Sequence, residues 1–207
     1  MYYSFEPSTV SGTTLVNLGG GGAAYNAQLV NGASISTADG YAAGSASLQL
    51  VASSSQYVQL PAFSTGSTGL TFACWFRSDS NPIYARVFDF GNGAGSDNIL
   101  FGIFGIWTVF VFVGGNENST PGTLNVNDNV WRHFAWTLTT SGTWSVYMNG
   151  VSVWTSTGRY YPNAITRSLN YLGKGNWGSD PYYTGAIDEF RMYSTVLGAS
   201  DIYALYG

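Results

Sequence analysis

The segment Trp144-Ser145-Val146-Tyr147-Met148-Asn149-Gly150-Val151-Ser152-Val153-Trp154 restricts the possible folds more than any other part of the chain. Apolar and polar residues alternate on both sides of Asn-Gly, and a strand gives that alternation one buried and one exposed face. Asn-Gly accepts positive φ at both central positions of a type I′ turn, so the two runs are predicted to form an antiparallel hairpin. Comparable aromatic and β-branched runs occur at 2–6, 27–30, 46–51, 57–60, 70–77, 84–90, 99–104, 107–113, 131–139, 143–148, 151–155, 168–172 and 185–193. Clusters of Gly, Ser, Asn and Pro separate them, as turns do between strands. Helical periodicity is almost absent; the one predicted helix is the short stretch 198–206, with Gly198 or Ser200 as its cap. So many strands need two sheets. The predicted class is all-β: a single domain over residues 1–207, built as a two-sheet antiparallel β-sandwich with one short C-terminal helix. No repeat of 20–50 residues is present, which excludes solenoids and propellers.

Composition limits the partners. Of 207 residues, 45% are hydrophobic and 16% aromatic, enough to fill a core, while only 9% are charged. Ser, Thr, Asn and Gly must therefore keep the surface wetted, a composition that suits an extracellular or particle-borne (virion) surface. The formal charge is −4 and Lys174 is the only lysine, so nucleic acid is not an expected partner, because its binders concentrate Lys and Arg. No cationic leader with an apolar stretch precedes Tyr2, and no signal peptide is expected in this chain. The apolar stretch from Ile99 to Val113 is interrupted by Gly102 and Gly105 and is too short for a membrane helix, so it reads as two buried strands and no membrane insertion. Cys74 is the sole cysteine and reads as a small buried thiol.

Several segments in order resemble the laminin G-like family of concanavalin A-like lectin/glucanase domains. They are Tyr3-Ser4-Phe5-Glu6, Ala46–Leu50 leading into Gln56–Pro61, Leu70–Arg77, Val87–Gly91, Trp131–Thr137, the Val146–Gly150 hairpin and Gly185–Tyr193. Together they span nearly the whole chain. The resemblance implies a concanavalin A-like jelly roll. Its members include carbohydrate-binding modules, adhesion domains, parts of glycosidases and lyases, and microbial or viral surface proteins, so the fold leaves the function open.

No catalytic residues are assigned. Glycoside hydrolysis needs two converging carboxyl groups, but the chain has only three Glu (Glu6, Glu117, Glu189), and adjacent Asp188 and Glu189 should point to opposite faces of a strand. His133, the only histidine, has no triad partner nearby in sequence and reads as structural. A single His and a single Cys cannot build a zinc site, whereas calcium needs only oxygen ligands. The resemblance implies a structural calcium held by Glu6, the 17–22 loop beginning at Asn17, and Asp188. At Asn17 similar domains often carry Asp, and the lost charge would weaken such a site.

Sugar recognition calls for flat rings beside amides and carboxylates. Two loops offer that mixture: one holds Tyr160 and Tyr161, the other Asn176, Trp177, Asp180, Tyr182 and Tyr183. Trp75, Trp131, Trp136, Tyr147 and Phe190 lie in alternating strands and are expected in the core. The expected function is non-catalytic binding or adhesion to a glycan or polysaccharide. The alternative is a structural surface protein that assembles with other surface or capsid proteins, and a hydrolase or lyase comes after both.

Overall fold

A computed structural model describes residues 1–207. The chain starts with β1 (Tyr2–Tyr3), β2 (Val10–Ser11), β3 (Thr14–Leu15), β4 (Ala27–Val30), β5 (Ser34–Ser36) and β6 (Ser47–Leu50). It continues through β7 (Tyr57–Leu60), β8 (Phe63–Ser64), β9 (Leu70–Ser78), β10 (Ala85–Gly91), β11 (Ile99–Ile103), β12 (Trp107–Val113) and β13 (Asn116–Ser119). The rest comprises β14 (Arg132–Leu138), β15 (Trp144–Met148), β16 (Val151–Ser156), β17 (Thr166–Arg167), β18 (Leu169–Leu172), β19 (Gly185–Tyr193) and helix α1 (Ala199–Tyr206). One sheet runs β16-β15-β14-β9-β19-β6-β5, with β1 also on β19; the other runs β13-β12-β11-β10-β18-β7-β4-β3-β2. β8 and β17 form a small separate pair.

Every predicted strand region is extended in the structure, and the fold is the predicted two-sheet sandwich. The first strand is shorter than 2–6, because Phe5 adopts φ 52° and Pro7 opens a 3-10 turn. Six short strands were not foreseen: β2, β3, β5, β8, β13 and β17. β13 is Asn-Glu-Asn-Ser, a polar edge strand whose pairing with β12 no hydrophobic pattern could announce. In the Asn149-Gly150 turn the two φ values are 50° and 75°, as a type I′ hairpin requires. The turn is tied to the neighbouring β14, with Asn149 N donating to His133 O at 2.8 Å and His133 N donating to Asn149 Oδ1 at 2.9 Å.

The core lies between the sheets and is largely aromatic. Alternate residues of β9 (Leu70, Phe72, Cys74, Phe76) and β14 (Phe134, Trp136, Leu138) meet Phe88, Phe90, Ile99, Phe101 and Val109 of the opposite sheet, all essentially without solvent exposure. Phe101 and Phe134 stack across the sheets with ring centres 4.0 Å apart. Phe88 contacts Phe72, Phe90, Phe101, Phe134 and Phe190 at 4.9–6.4 Å. Burial of the Cys74 thiol raises its pKa and leaves it protonated.

Outside the first sheet, α1 seats Ile202 on Ala73 and Ala135, two small outward residues that let the helix approach. Gly198 precedes the helix and its N–H donates to Asp201 Oδ2 at 3.0 Å. At Gly150 a Cβ would stand 3.0 Å from Tyr203 and 3.2 Å from Tyr206, so turn geometry and helix packing both require glycine there. Trp75, Trp131 and Tyr147 depart from the expectation. They are only half-buried, on the outer face, where Trp75 stacks between Tyr41 (4.4 Å) and Tyr206 (5.5 Å). Their strands alternate as predicted, but an added layer of helix and loop gives the outward rings a partner. Trp136 and Phe190 are in the core as expected.

Replacing Phe88 with Ala removes a ring packed on five others. Urea denaturation should show a loss of about 3–5 kcal/mol, with an unchanged m-value; a loss below about 1 kcal/mol would mean the core closes without this ring.

Candidate functional site

The outward face of the second sheet carries a pocket of about 330 Å³ lined by Tyr84, Arg86, Leu100, Phe104, Phe110, Phe112, Glu117, Trp177 and Asp180. Strand register explains it. Arg86 pairs with Gly102, Leu100 with Phe110, and Phe112 with Glu117, so these residues share the face turned away from Phe101, Val109 and Val111. In an antiparallel sheet the outward positions are ordinarily polar. Here they are rings, and an exposed apolar patch of this kind marks a contact surface.

Arg86 lies at the floor. Its Nη2 donates to Asp180 Oδ2 at 3.0 Å, and the two side chains are only 6% and 11% exposed. The guanidinium is flanked by Phe104 (5.5 Å), Trp177 (5.6 Å) and Tyr84 (5.7 Å). Its Nε and Nη1 are buried and have no partner within the protein. Burial lowers the Arg86 pKa from its ordinary value, opposed by Asp180 and Asp89, and burial raises that of Asp180, opposed by Arg86. Gly102 makes room, since a Cβ there would meet Phe104 at 2.7 Å and Arg86 Nη1 at 3.4 Å.

The loop bearing Trp177 is fastened from beneath. Asn176 N donates to Asp89 Oδ2 (2.9 Å), and Asn176 Nδ2 donates to Leu169 O (3.1 Å). Asp89 is fully buried and also accepts from Asn98 Nδ2 at 2.8 Å; burial nevertheless pushes its pKa up to about 6. Trp177 then leans on Phe112, ring centres 5.4 Å apart. Beyond the loop, Tyr182 lies 6.1 Å from Tyr57, and Lys174 Nζ stands over Tyr57 (4.5 Å) and Tyr171 (4.4 Å).

Of the predicted sugar-contact residues, then, the structure places Trp177 and Asp180 in the pocket, Asn176 beneath it and Tyr182 on its far side. Tyr183 corrects the expectation: it is fully buried, its hydroxyl donating to Arg77 O at 2.8 Å, and cannot meet a ligand. Tyr160 and Tyr161 sit elsewhere. The Tyr160 backbone O accepts from Trp144 Nε1 (2.9 Å) while its ring stays 36% exposed outside the pocket, and the Tyr161 hydroxyl donates to Gly66 O (2.8 Å), closing one end of the sandwich. Tyr84, Arg86, Leu100, Phe104, Phe110, Phe112 and Glu117 escaped the sequence reading. The available signal was the run 99–113, apolar on both strand faces in a sheet that should alternate.

The residues implied for calcium do not form one ligand set. Asn17 Nδ2 donates to the carbonyls of Gly19, Gly20 and Gly22 at 3.0–3.3 Å, so an amide already serves the loop oxygens a cation would bind. Its Oδ1 accepts from Tyr2 N and Gly19 N, which fixes the orientation of the amide. Glu6 instead accepts from Ala46 N at 3.2 Å and lies near enough to Asp188 to raise its pKa. No group of three His, Cys, Asp or Glu side chains converges anywhere in the chain.

The expectation that Asp188 and Glu189 face opposite ways also needs correction. A bulge between Asp188 and Arg191, with Glu189 at φ 51°, breaks the alternation. Asp188 lies opposite Trp75 on the outer face, and Glu189 reaches the same side, accepting from the Tyr2 hydroxyl at 2.8 Å and from Arg191. Asp188 Oδ1 accepts from Glu189 N at 2.7 Å, while Oδ2 is buried without a partner. Burial, then the charges of Glu189 and Glu6, push the Asp188 pKa up to about 8. His133 lies in the same row, its pKa lowered to about 4 by burial and by Arg191.

A family model of laminin G-like type, described as the concanavalin A-like lectin/glucanases superfamily, matches residues 52–203, well over half of the sequence. The chain belongs to this family. No curated protein matches this laminin G-like sequence. Among solved structures it is similar to domain 4 of AbnA, a GH43 extracellular arabinanase from Geobacillus stearothermophilus in complex with arabinotriose. The TM-score is 0.64 at 18% identity, over 100% of this chain and 87% of that one. It is also similar to the binding domain of Paraclostridial Mosquitocidal Protein 1 (TM-score 0.69, 16% identity, 96% of this chain and 50% of that one). The ligand binding domain of botulinum neurotoxin serotype D, in complex with N-acetylneuraminic acid, gives a TM-score of 0.70 at 15% identity, over 100% of this chain and 50% of that one. This laminin G-like chain thus spans about half the length of the toxin binding domains it matches. At these identities the likeness shows the fold.

The Asp188 shift gives a pH dependence of fixed sign. The folded-state pKa lies above the ordinary 3.8, so the stability Asp188 contributes is complete below about 4 and is lost as pH rises through 8. His133 acts oppositely between about 4 and 6.5, and the Met1 amino group, its pKa lowered from 8.0 by burial, acts oppositely up to 8, so the comparison is made with a variant that changes Asp188 alone. Asp188→Asn keeps the oxygen that accepts from Glu189 N. Relative to this variant, the native protein should lose up to about 1 kcal/mol per pH unit over the interval from 6.5 to 8, read from urea unfolding. A difference that stays constant with pH would refute the assignment.

Proposed function

We propose that the chain is a non-catalytic carbohydrate-binding module, with the ring-lined pocket on the outer face of the second sheet as its binding site. The supporting observation is the pocket's chemistry: a wall of five aromatic rings beside one buried guanidinium with two unpartnered N–H donors and two carboxylates. Rings cover the apolar C–H face of a pyranose or furanose, and a few fixed polar groups orient its hydroxyls. Supporting it from outside are fold-level relatives described as binding domains, one of them in complex with N-acetylneuraminic acid, and an arabinanase domain in complex with arabinotriose. Asp180, one of the two carboxylates, is committed to Arg86, an arrangement that serves binding better than proton transfer. The proposed setting is an extracellular or particle surface, where polysaccharides are encountered; no helix here is long and apolar enough to cross a membrane.

Affinity electrophoresis against a panel of polysaccharides tests this reading. Retardation by at least one polymer is expected, with Trp177→Ala and Phe112→Ala each weakening it about fivefold, in line with about 1 kcal/mol per stacked ring. Tyr161→Ala, at the sandwich end, should leave retardation unchanged. Unretarded migration of the native protein in every polymer would sink the proposal.

A further inference from the structure

Resting on the carbohydrate-binding reading, the charges around the pocket point to the class of sugar. Arg86 is the only cation lining it, and Asp180 already neutralises that guanidinium at 3.0 Å. Glu117 adds a second carboxylate from β13, exposed and with no side-chain hydrogen bond of its own. The site therefore carries one net negative charge. The nearest other cationic group of the same loop, Lys174, is held over Tyr57 and Tyr171 and does not line the pocket.

We infer that the pocket selects uncharged sugars and turns away acidic ones, and that Glu117 sets much of this preference. A ligand carboxylate would have to share Arg86 with Asp180 while facing Glu117, placing three anions around one cation. A neutral sugar meets no such opposition. Its hydroxyls can donate to the exposed Glu117 carboxylate, while Arg86 Nε and Nη1 stay enclosed and act through their charge. Its C–H face meets Trp177, Phe110 and Phe112.

Matched neutral and acidic carbohydrates test the inference: arabinan and galactan against polygalacturonate, and lactose against sialyllactose, by affinity electrophoresis and calorimetry at low salt and near 0.15 M. The native protein should bind neutral members and discriminate against acidic ones. Glu117→Gln should reduce that discrimination about threefold and Glu117→Lys about tenfold at low salt, less at 0.15 M because exposed charges are screened. The quantity read is the ratio of acidic to neutral affinity, so any loss of neutral binding shared by both ligands cancels, and folding should hardly change because the Glu117 side chain makes no hydrogen bond within the protein. Tighter binding of polygalacturonate or sialyllactose than of its neutral partner, or equal discrimination by all three proteins, would overturn the inference while leaving the carbohydrate-binding reading intact. Binding of no carbohydrate at all would overturn that reading, and this one with it.

Discussion

Two sheets hide their inner faces against each other, and the interleaved rings that fill the gap fix everything else in this molecule. Phe101 stacks on Phe134 across that gap, and Phe88 joins Phe72 and Phe190 from the two sides. An aromatic core of this density leaves little freedom in register, because a slip by one residue would send Phe72, Phe76 and Phe134 to the outside. The outward faces inherit their residues from that requirement. What a face can bind follows from which residues the core pushes out.

The two outer faces use this inheritance differently. On the first sheet, the small residues Ala73 and Ala135 let Ile202 of the C-terminal helix settle, and Tyr41 and Tyr206 cover Trp75. That cover buries Asp188 and His133 as well, and burial shifts both toward their neutral forms. On the second sheet no helix covers the rings. Leu100, Phe110 and Phe112 remain beside Arg86, and the loop through Trp177 bends over them, held by the buried Asp89 carboxylate and by Asp180. The open face is where a flat, partly apolar ligand can dock.

The strands and the Asn149-Gly150 turn were legible because alternation and positive-φ preference are local properties of the chain. Trp177 was legible as an outward ring for a similar reason: a tryptophan among Gly, Asn and Ser has no strand to take it inward. Tyr183, six residues later, looked equivalent and is buried, because the loop ends there and β19 draws the chain under Arg77. Glu189 could not be placed from alternation at all, since the bulge that turns it is decided by how β19 fits between β9 and β1. The pocket itself was hidden in the stretch 99–113, whose apolar residues read as buried on both faces.

By itself the sequence determined the class, two antiparallel layers around aromatic rings, and the family, because period-two patterning and turn residues act over a few positions. Only the tertiary structure decided which outward rings are covered and which stay open, and that Arg86, Glu117, Trp177 and Asp180 meet. Those residues are brought together by strand register and by one loop crossing a sheet. Such contacts join positions up to 94 residues apart, as Arg86 and Asp180 are, and no local propensity encodes them.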